Sequence, residues 1–136
     1  MTETLHIAVA GAAGRMGRQL IGAALDAGHA MTGGSEAPGS PYIGKDVGAL
    51  AGRDTLDVAV KAGIAEAAKG ASVWIDFTVP QATLSALAIA PSAGVSSFVI
   101  GTTGFSAKQE AEIEAAAERL TIIKAGNFSL GVNLLE

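Results

Sequence analysis

Residues 5–10, LHIAVA, read as a short buried strand and run straight into GAAGRMG, which places Gly11, Gly14 and Gly17 three apart. A helical pattern follows over residues 16–27, with Leu20, Ala24 and Ala27 on one face and Gly28 as its stop. A strand that ends in a glycine-rich turn and opens a helix begins a βαβ unit, which commits the chain to a parallel sheet. Such a turn suits a pyrophosphate. The helix N-terminus offers N–H groups without partners and the positive end of the dipole, and glycines keep side chains out of the way. In a dinucleotide-binding turn the first glycine allows the bend, the second admits the phosphates, and the third lets the helix pack on the strand. The spacing here is G-x-x-G-x-x-G, with Ala12 and Ala13 making the turn one residue longer than the standard G-x-G-x-x-G. A tight turn with no ligand would use glycine too. The setting between a clear strand and a clear helix favours a cofactor.

The rest of the chain continues the alternation. Residues 29–35 read as a second strand, and 36–53 as a Gly, Pro and Ser-rich loop with a brief helical turn at 47–50. A third strand is expected at 56–60 and a short helix at 64–69. VWIDF, at 73–77, is a buried strand, and Pro80 opens a helix reaching about residue 90. Pro91 should end or bend that helix, with Gly94 as the exit to the strand SFVIG at 97–101. Ser106 and Gln109 form a capping box for a helix to about residue 120, with Ile113, Ala117 and Leu120 on one face. Residues 121–124 are the last strand. The expected fold class is α/β: a Rossmann-type doubly wound parallel sheet with helices on both faces.

Composition removes several function classes. The 136 residues carry a net charge of −4, and the nine basic residues are scattered, which argues against a nucleic-acid face. Without cysteine there is no disulfide or thiolate, and His6 and His29 are too few and too far apart for a zinc site. No metal is expected. No stretch has the length of a membrane span or the form of a secretory signal, so the expectation is a cytoplasmic protein without membrane contact.

The second test of a dinucleotide site is an acid after the second strand, placed to accept ribose hydroxyls. Glu36 falls 19 residues after Gly17. A carboxylate there suits NADH and repels the additional phosphate of NADPH, and Ala37 adds no cation to offset that repulsion. Arg15 and Lys45 remain as candidate phosphate partners. Ligands of open α/β sheets lie outside the carboxyl ends of the strands. Three loops at that edge carry small polar residues: residues 78–81, GTTG at 101–104, and AGNFS at 125–129, in which Asn127 could bond a carboxamide or ribose.

Taken together, IAVAGAAGRMGRQL, WIDFT-x-P, VIGTTGF and NFSLGVN resemble, in order and spacing, the 4-hydroxy-tetrahydrodipicolinate reductase (dihydrodipicolinate reductase) family of the diaminopimelate route to lysine. The resemblance implies a domain over residues 1–128 that binds NADH or NADPH, with NADH favoured here. It implies that Gly11, Ala12, Ala13, Gly14, Arg15 and Met16 cradle the pyrophosphate and that Glu36 holds the adenosine ribose. Phe77, Gly101, Thr102 and Thr103 would flank the nicotinamide, Thr103 also reaching the substrate. Ala125, Gly126, Asn127 and Phe128 would close the site. Two positions depart from the family: Ala37 stands where arginine is frequent, and Gly126 where alanine is common.

The resemblance further implies that residues 129–136 begin the connection to a second domain. That domain would bind a small dicarboxylate, supply catalytic histidine and lysine, and form a homotetramer. Neither His6 nor His29 replaces those groups, so no catalytic residue is expected within these 136. The expectation is an oxidoreductase half that binds cofactor without turnover. A stand-alone, non-catalytic dinucleotide-binding module is the alternative. Another oxidoreductase with a similar first half, such as an aspartate dehydrogenase, is disfavoured by GTTGF and NFS-x-GVN.

Overall fold

Side chains alternate across a strand, and the first strand, β1 (His6–Ala10), sorts its neighbours accordingly. Ile7 and Val9 face one layer of helices, and Ala8 and Ala10 face another. The computed structural model describes residues 3–125. Its sheet contains β1, β2 (Ala30–Ser35), β3 (Val73–Asp76), β4 (Ser97–Ile100) and β5 (Thr121–Lys124). The order is β2-β1-β3-β4-β5, with every neighbouring pair parallel. Helices α1 (Arg15–Asp26), α2 (Val47–Leu50), α3 (Ile64–Ala68), α4 (Pro80–Ile89) and α5 (Ala107–Ala116) lie in the connections.

On one face Ile7, Val9 and Ile75 pack with Leu20, Ile21 and Ala24 of α1 and Val47 of α2. On the other, Trp74, Phe98 and Ile100 pack with alanines of α3 and α4 and with Ile113 of α5. Ala8, Trp74 and Phe98 are register partners across three strands, so the small residue makes room beside the two large rings. A core with few aromatics is built this way: two rings in the middle of the sheet, covered by helices whose alanines allow close approach. The doubly wound class is therefore observed, with helices on both faces. Among the described residues no helix is long and apolar enough to cross a membrane.

Three local expectations are corrected. Residues 56–60 do not form a sheet strand. Lys61 makes a single parallel bridge to Ser35, while Ala59 bridges Asp46 in the antiparallel sense. Asp57 takes a left-handed φ of 59°, which breaks an extended run, and the segment folds back on residues 44–47 instead of extending the sheet. In α1 the buried stripe is Gly17, Leu20, Ile21 and Ala24, whereas Ala27 is the exposed C-cap. In α5 the helix stops at Ala116, and it is Ala116, not Ala117, that is buried with Ile113. The capping box is present as expected, with Ser106 accepting from Gln109 N–H and Gln109 accepting from Ser106 N–H. After α4, Pro91 sits in a 3-10 turn, Ala90–Ala93, and Gly94 exits at φ 109°.

Asp46 organises the long loop. Its carboxylate caps α2 by accepting from Ala49 N–H at 3.0 Å and also accepts from Leu56 and Val58 N–H. Desolvation pushes this carboxyl up, but the backbone amides of Val58, Ala49, Leu56 and Gly48 outweigh it and hold it below its ordinary value of 3.8. A carboxyl depressed in the folded state contributes stability above its unfolded pKa, and that contribution is lost as pH falls through the folded value. Asp46→Ala is expected to cost about 1 kcal/mol at neutral pH through the lost cap. Thermal melts of both proteins from pH 7 to pH 2 should show the gap closing at the acid end. A gap independent of pH would contradict this account.

Candidate functional site

The strands β1, β2, β3 and β4 all end at one edge of the sheet, and the glycine turn stands in the middle of it. Gly11 has φ +73°, a conformation that costs glycine nothing, and it turns the chain out of β1. The N–H groups of Gly11 and Ala12 both donate to Ser35 O, at 2.9 and 3.1 Å, which fixes the turn to the end of β2. Gly14 is the N-cap of α1 and offers no side-chain cap, and the first turn of the helix holds no acidic residue. The N–H groups of Arg15 and Met16 therefore have no intrahelical acceptor, and the positive end of the helix is not neutralised from within. A Cβ on Gly17 would overlap the Gly11 carbonyl oxygen and lie 2.9 Å from Ala12 Cα, so only glycine lets α1 close on the turn.

Glu36 leaves β2 and reaches back over this turn. Its Oε2 accepts from Ala13 N–H at 2.8 Å, so residues 23 positions apart meet at the mouth of the helix. A cleft of about 510 Å³ opens there, lined by Gly11, Ala13, Gly14, Arg15, Met16 and Glu36, with Tyr42 and Phe77 also on its wall. A second cleft of about 560 Å³ shares Gly11 and Glu36 and continues past Ala37 and Pro38 toward Val79 and Ala82 on the α4 side. Glu36 stands between the two.

The sequence-predicted residues divide into three groups. Gly11, Ala13, Gly14, Arg15, Met16, Glu36 and Phe77 share the first cleft, while Ala12 is fully buried beneath it. Gly101, Thr102 and Thr103 follow β4 at the same edge, and a Cβ on Gly101 would overlap one edge of the Phe77 ring, 2.0 Å from Cε2, so the ring lies directly against that backbone. Thr103 is exposed; Thr102 is buried, its hydroxyl 3.0 Å from Thr78 N–H and 2.8 Å from the Thr83 hydroxyl. Ala125 is buried after β5, its N–H donating to Ile100 O at 2.8 Å. Gly126, Asn127 and Phe128 lie outside the described residues. Of the two candidate phosphate partners, Arg15 lines the first cleft, and Lys45 does not.

Sequence reasoning missed two features. Tyr42 flanks the first cleft, and the Arg18 guanidinium stacks over its ring at 5.3 Å while Arg18 Nε donates to Ala13 O at 2.8 Å. A lone aromatic in a Gly, Pro and Ser-rich loop was its signal. The other is Asp76, a carboxylate inside the apolar run VWIDF.

A parallel sheet in this order, with a glycine turn leading into a helix N-terminus at its carboxyl edge, defines a Rossmann-type α/β domain. Solved structures agree in fold. An amine dehydrogenase from Mycobacterium smegmatis superposes with a TM-score of 0.73 at 24% identity, over 92% of this chain and 39% of that one. A dipicolinate-bound dihydrodipicolinate reductase from Paenisporosarcina sp. TG-14 superposes at 0.66 and 23% identity, over 97% of this chain and 51% of that one. The chain belongs to the family described as "Dihydrodipicolinate reductase, N-terminus", whose model matches residues 5–128. A 4-hydroxy-tetrahydrodipicolinate reductase from Parvibaculum lavamentivorans is 50% identical over 137 residues, covering 99% of this chain and 50% of that protein. The chain spans about half the length of the curated relatives it matches.

Proposed function

We propose that the chain binds a nicotinamide dinucleotide across the carboxyl edge of the sheet, as the cofactor domain of a 4-hydroxy-tetrahydrodipicolinate reductase. The observation that carries this reading is the Glu36 carboxylate seated on Ala13 N–H at the glycine turn. In a dinucleotide the adenosine ribose is bonded to the pyrophosphate. A site for it needs an acid beside the phosphate turn, although the two come from different strands. The donor set fits: amides at the α1 N-terminus for phosphate, a carboxylate for ribose hydroxyls, and a flat apolar wall at Phe77 and Gly101 for the nicotinamide.

In this reading the pyrophosphate lies over Gly11, Ala12, Ala13, Gly14, Arg15 and Met16. The adenine takes the cleft beyond Glu36, between Pro38 and Ala82, where apolar side chains suit an aromatic ring. Thr103 offers its exposed hydroxyl at the nicotinamide end, and Thr102 contributes through its backbone. Ala125, Gly126, Asn127 and Phe128 complete that end. The bound cofactor supplies a hydride; the residues of this chain bind and orient it. The small dicarboxylate substrate, the homotetramer and the cytoplasmic setting belong to the same proposal, through the resemblance to the full-length family.

Titration with each cofactor tests the reading. NADH is expected to bind more tightly than NADPH, because Glu36 repels a 2′-phosphate and Ala37 offers no cation. Equal or tighter NADPH binding would refute the preference, and no binding of either would refute the site. A polypeptide of these 136 residues is expected to show negligible reductase turnover, and near-normal rates would overturn that expectation.

A further inference from the structure

Asp76 closes β3 and is 1% exposed. Every partner it has is a donor. Trp74 Nε1–H donates to Oδ2 at 3.1 Å. Oδ1 accepts from Thr78 N–H at 3.1 Å, from the Thr78 hydroxyl, and from the Thr83 hydroxyl at 3.1 Å. Thr83 and Thr102 are also buried, and their hydroxyl oxygens are 2.8 Å apart. Each hydroxyl carries one proton. With Thr83 donating to Asp76, Thr102 donates to Thr83, and the one Thr78 N–H is shared between Asp76 Oδ1 and the Thr102 hydroxyl oxygen, so every group is satisfied. Among the described residues no buried side-chain polar atom lacks a partner.

The hub joins segments from three parts of the chain. Thr78 begins the loop after β3, and its methyl lies 3.1 Å from where a Cβ on Gly11 would be, against the glycine turn. Thr83 belongs to α4. Thr102 is the second residue of GTTG, and the preceding Gly101 donates its N–H to Asp76 O at 2.8 Å and backs the Phe77 ring. We propose that Asp76 is a positioning residue. Its buried carboxylate holds the glycine turn after β1 and the GTTG loop after β4 in one fixed relation, so that both ends of a dinucleotide are met at once. The proposal rests on the cofactor reading above and adds to it a residue that touches no cofactor. A polar network of this kind fixes geometry because the Asp76 carboxylate is the buried acceptor on which the Trp74, Thr78 and Thr83 donors converge, and a donor that left it would lose a bond that no water replaces there.

The test uses Thr83→Val, which keeps the shape and removes the hydroxyl, alongside Thr83→Ser and Asp76→Asn. Amide hydrogen exchange in the absence of cofactor and the Kd for NADH are read on each. Thr83→Val is expected to speed exchange at Gly101, Gly11 and Ala12 and to raise the Kd by about tenfold. Thr83→Ser should return both to near the native values. Asp76→Asn, which turns an acceptor into a donor, should exceed Thr83→Val. Ile113→Ala removes core packing without removing a hub hydrogen bond. It should lower the melting temperature while leaving exchange in these loops as in the native chain. The proposal is overturned if Thr83→Val leaves both loops at native exchange, if valine and serine behave alike, or if Ile113→Ala disturbs the loops equally. Thr83→Val decides the matter even where Asp76→Asn does not fold. A native chain that binds no NADH would refute the cofactor reading, and the exchange data would still decide the hub.

Discussion

Gly17→Ala is expected to abolish cofactor binding and to destabilise the chain by about 3 kcal/mol or more. The new methyl would overlap the Gly11 carbonyl oxygen and press on Ala12 Cα, and both are backbone atoms of a turn tied to β2. Neither can yield as a flexible side chain would. To relieve the clash, α1 must lift from the sheet, which opens the packing of Leu20, Ile21 and Ala24 and displaces the first-turn amides. The melting temperature should fall by on the order of 10 °C, and titration with NADH should give no saturable signal. Gly28→Ala is an informative contrast. That glycine has φ 86° and nothing within 4 Å of its Cβ position, so its cost is backbone strain alone and binding should persist. Native-like binding by Gly17→Ala would show that the third glycine does not set the geometry of the turn.

Glu36→Ala is expected to raise the Kd for NADH by a factor of ten or more, equivalent to losing about 1.5 kcal/mol of charge-assisted hydrogen bonding to the ribose. The Kd for NADPH should rise less or fall, because the substitution also removes the carboxylate that repels its 2′-phosphate. The ratio of the two constants is therefore the decisive readout. It separates loss of a ribose ligand from general damage to the turn, which would weaken both cofactors alike. Glu36 is only half-buried, so the melting temperature should change little. Unchanged affinity for both cofactors would remove Glu36 from the site.

Several elements were legible because their cause is local. The strand-turn-helix at residues 5–27 follows from apolar alternation, a glycine that must take positive φ, and a helical stripe. The capping box of Ser106 and Gln109 and the helical turn at Val47–Leu50 likewise depend on neighbours in sequence. Residues 56–60 misled for a physical reason. Leu56, Val58 and Val60 alternate like a strand, but the left-handed backbone at Asp57 and the pull of the Asp46 carboxylate on Leu56 and Val58 N–H are decided by a loop partner ten or more residues away. The stripe of α5 was misplaced by one residue because Ala116 and Ala117 are chemically identical. Only the surface of the sheet decides which of them it covers.

The site shows the same division. GAAGRMG, Glu36 and GTTG were each readable as candidates, because glycine, a carboxylate after a strand and small polar loops have chemical meaning alone. Their assembly was not readable to that degree. The sequence by itself determined a βαβ alternation, a glycine-rich turn from strand to helix and membership of a reductase family. Tertiary structure decided that Glu36 lies on Ala13 N–H and that the Phe77 ring rests on Gly101. It also decided that Asp76 gathers Thr78, Thr83 and Thr102 into one hub. These contacts join residues up to 26 positions apart, and their geometry depends on the parallel register that sets the strand ends side by side. A sequence pattern names such groups, but distances between them exist only once the sheet has formed.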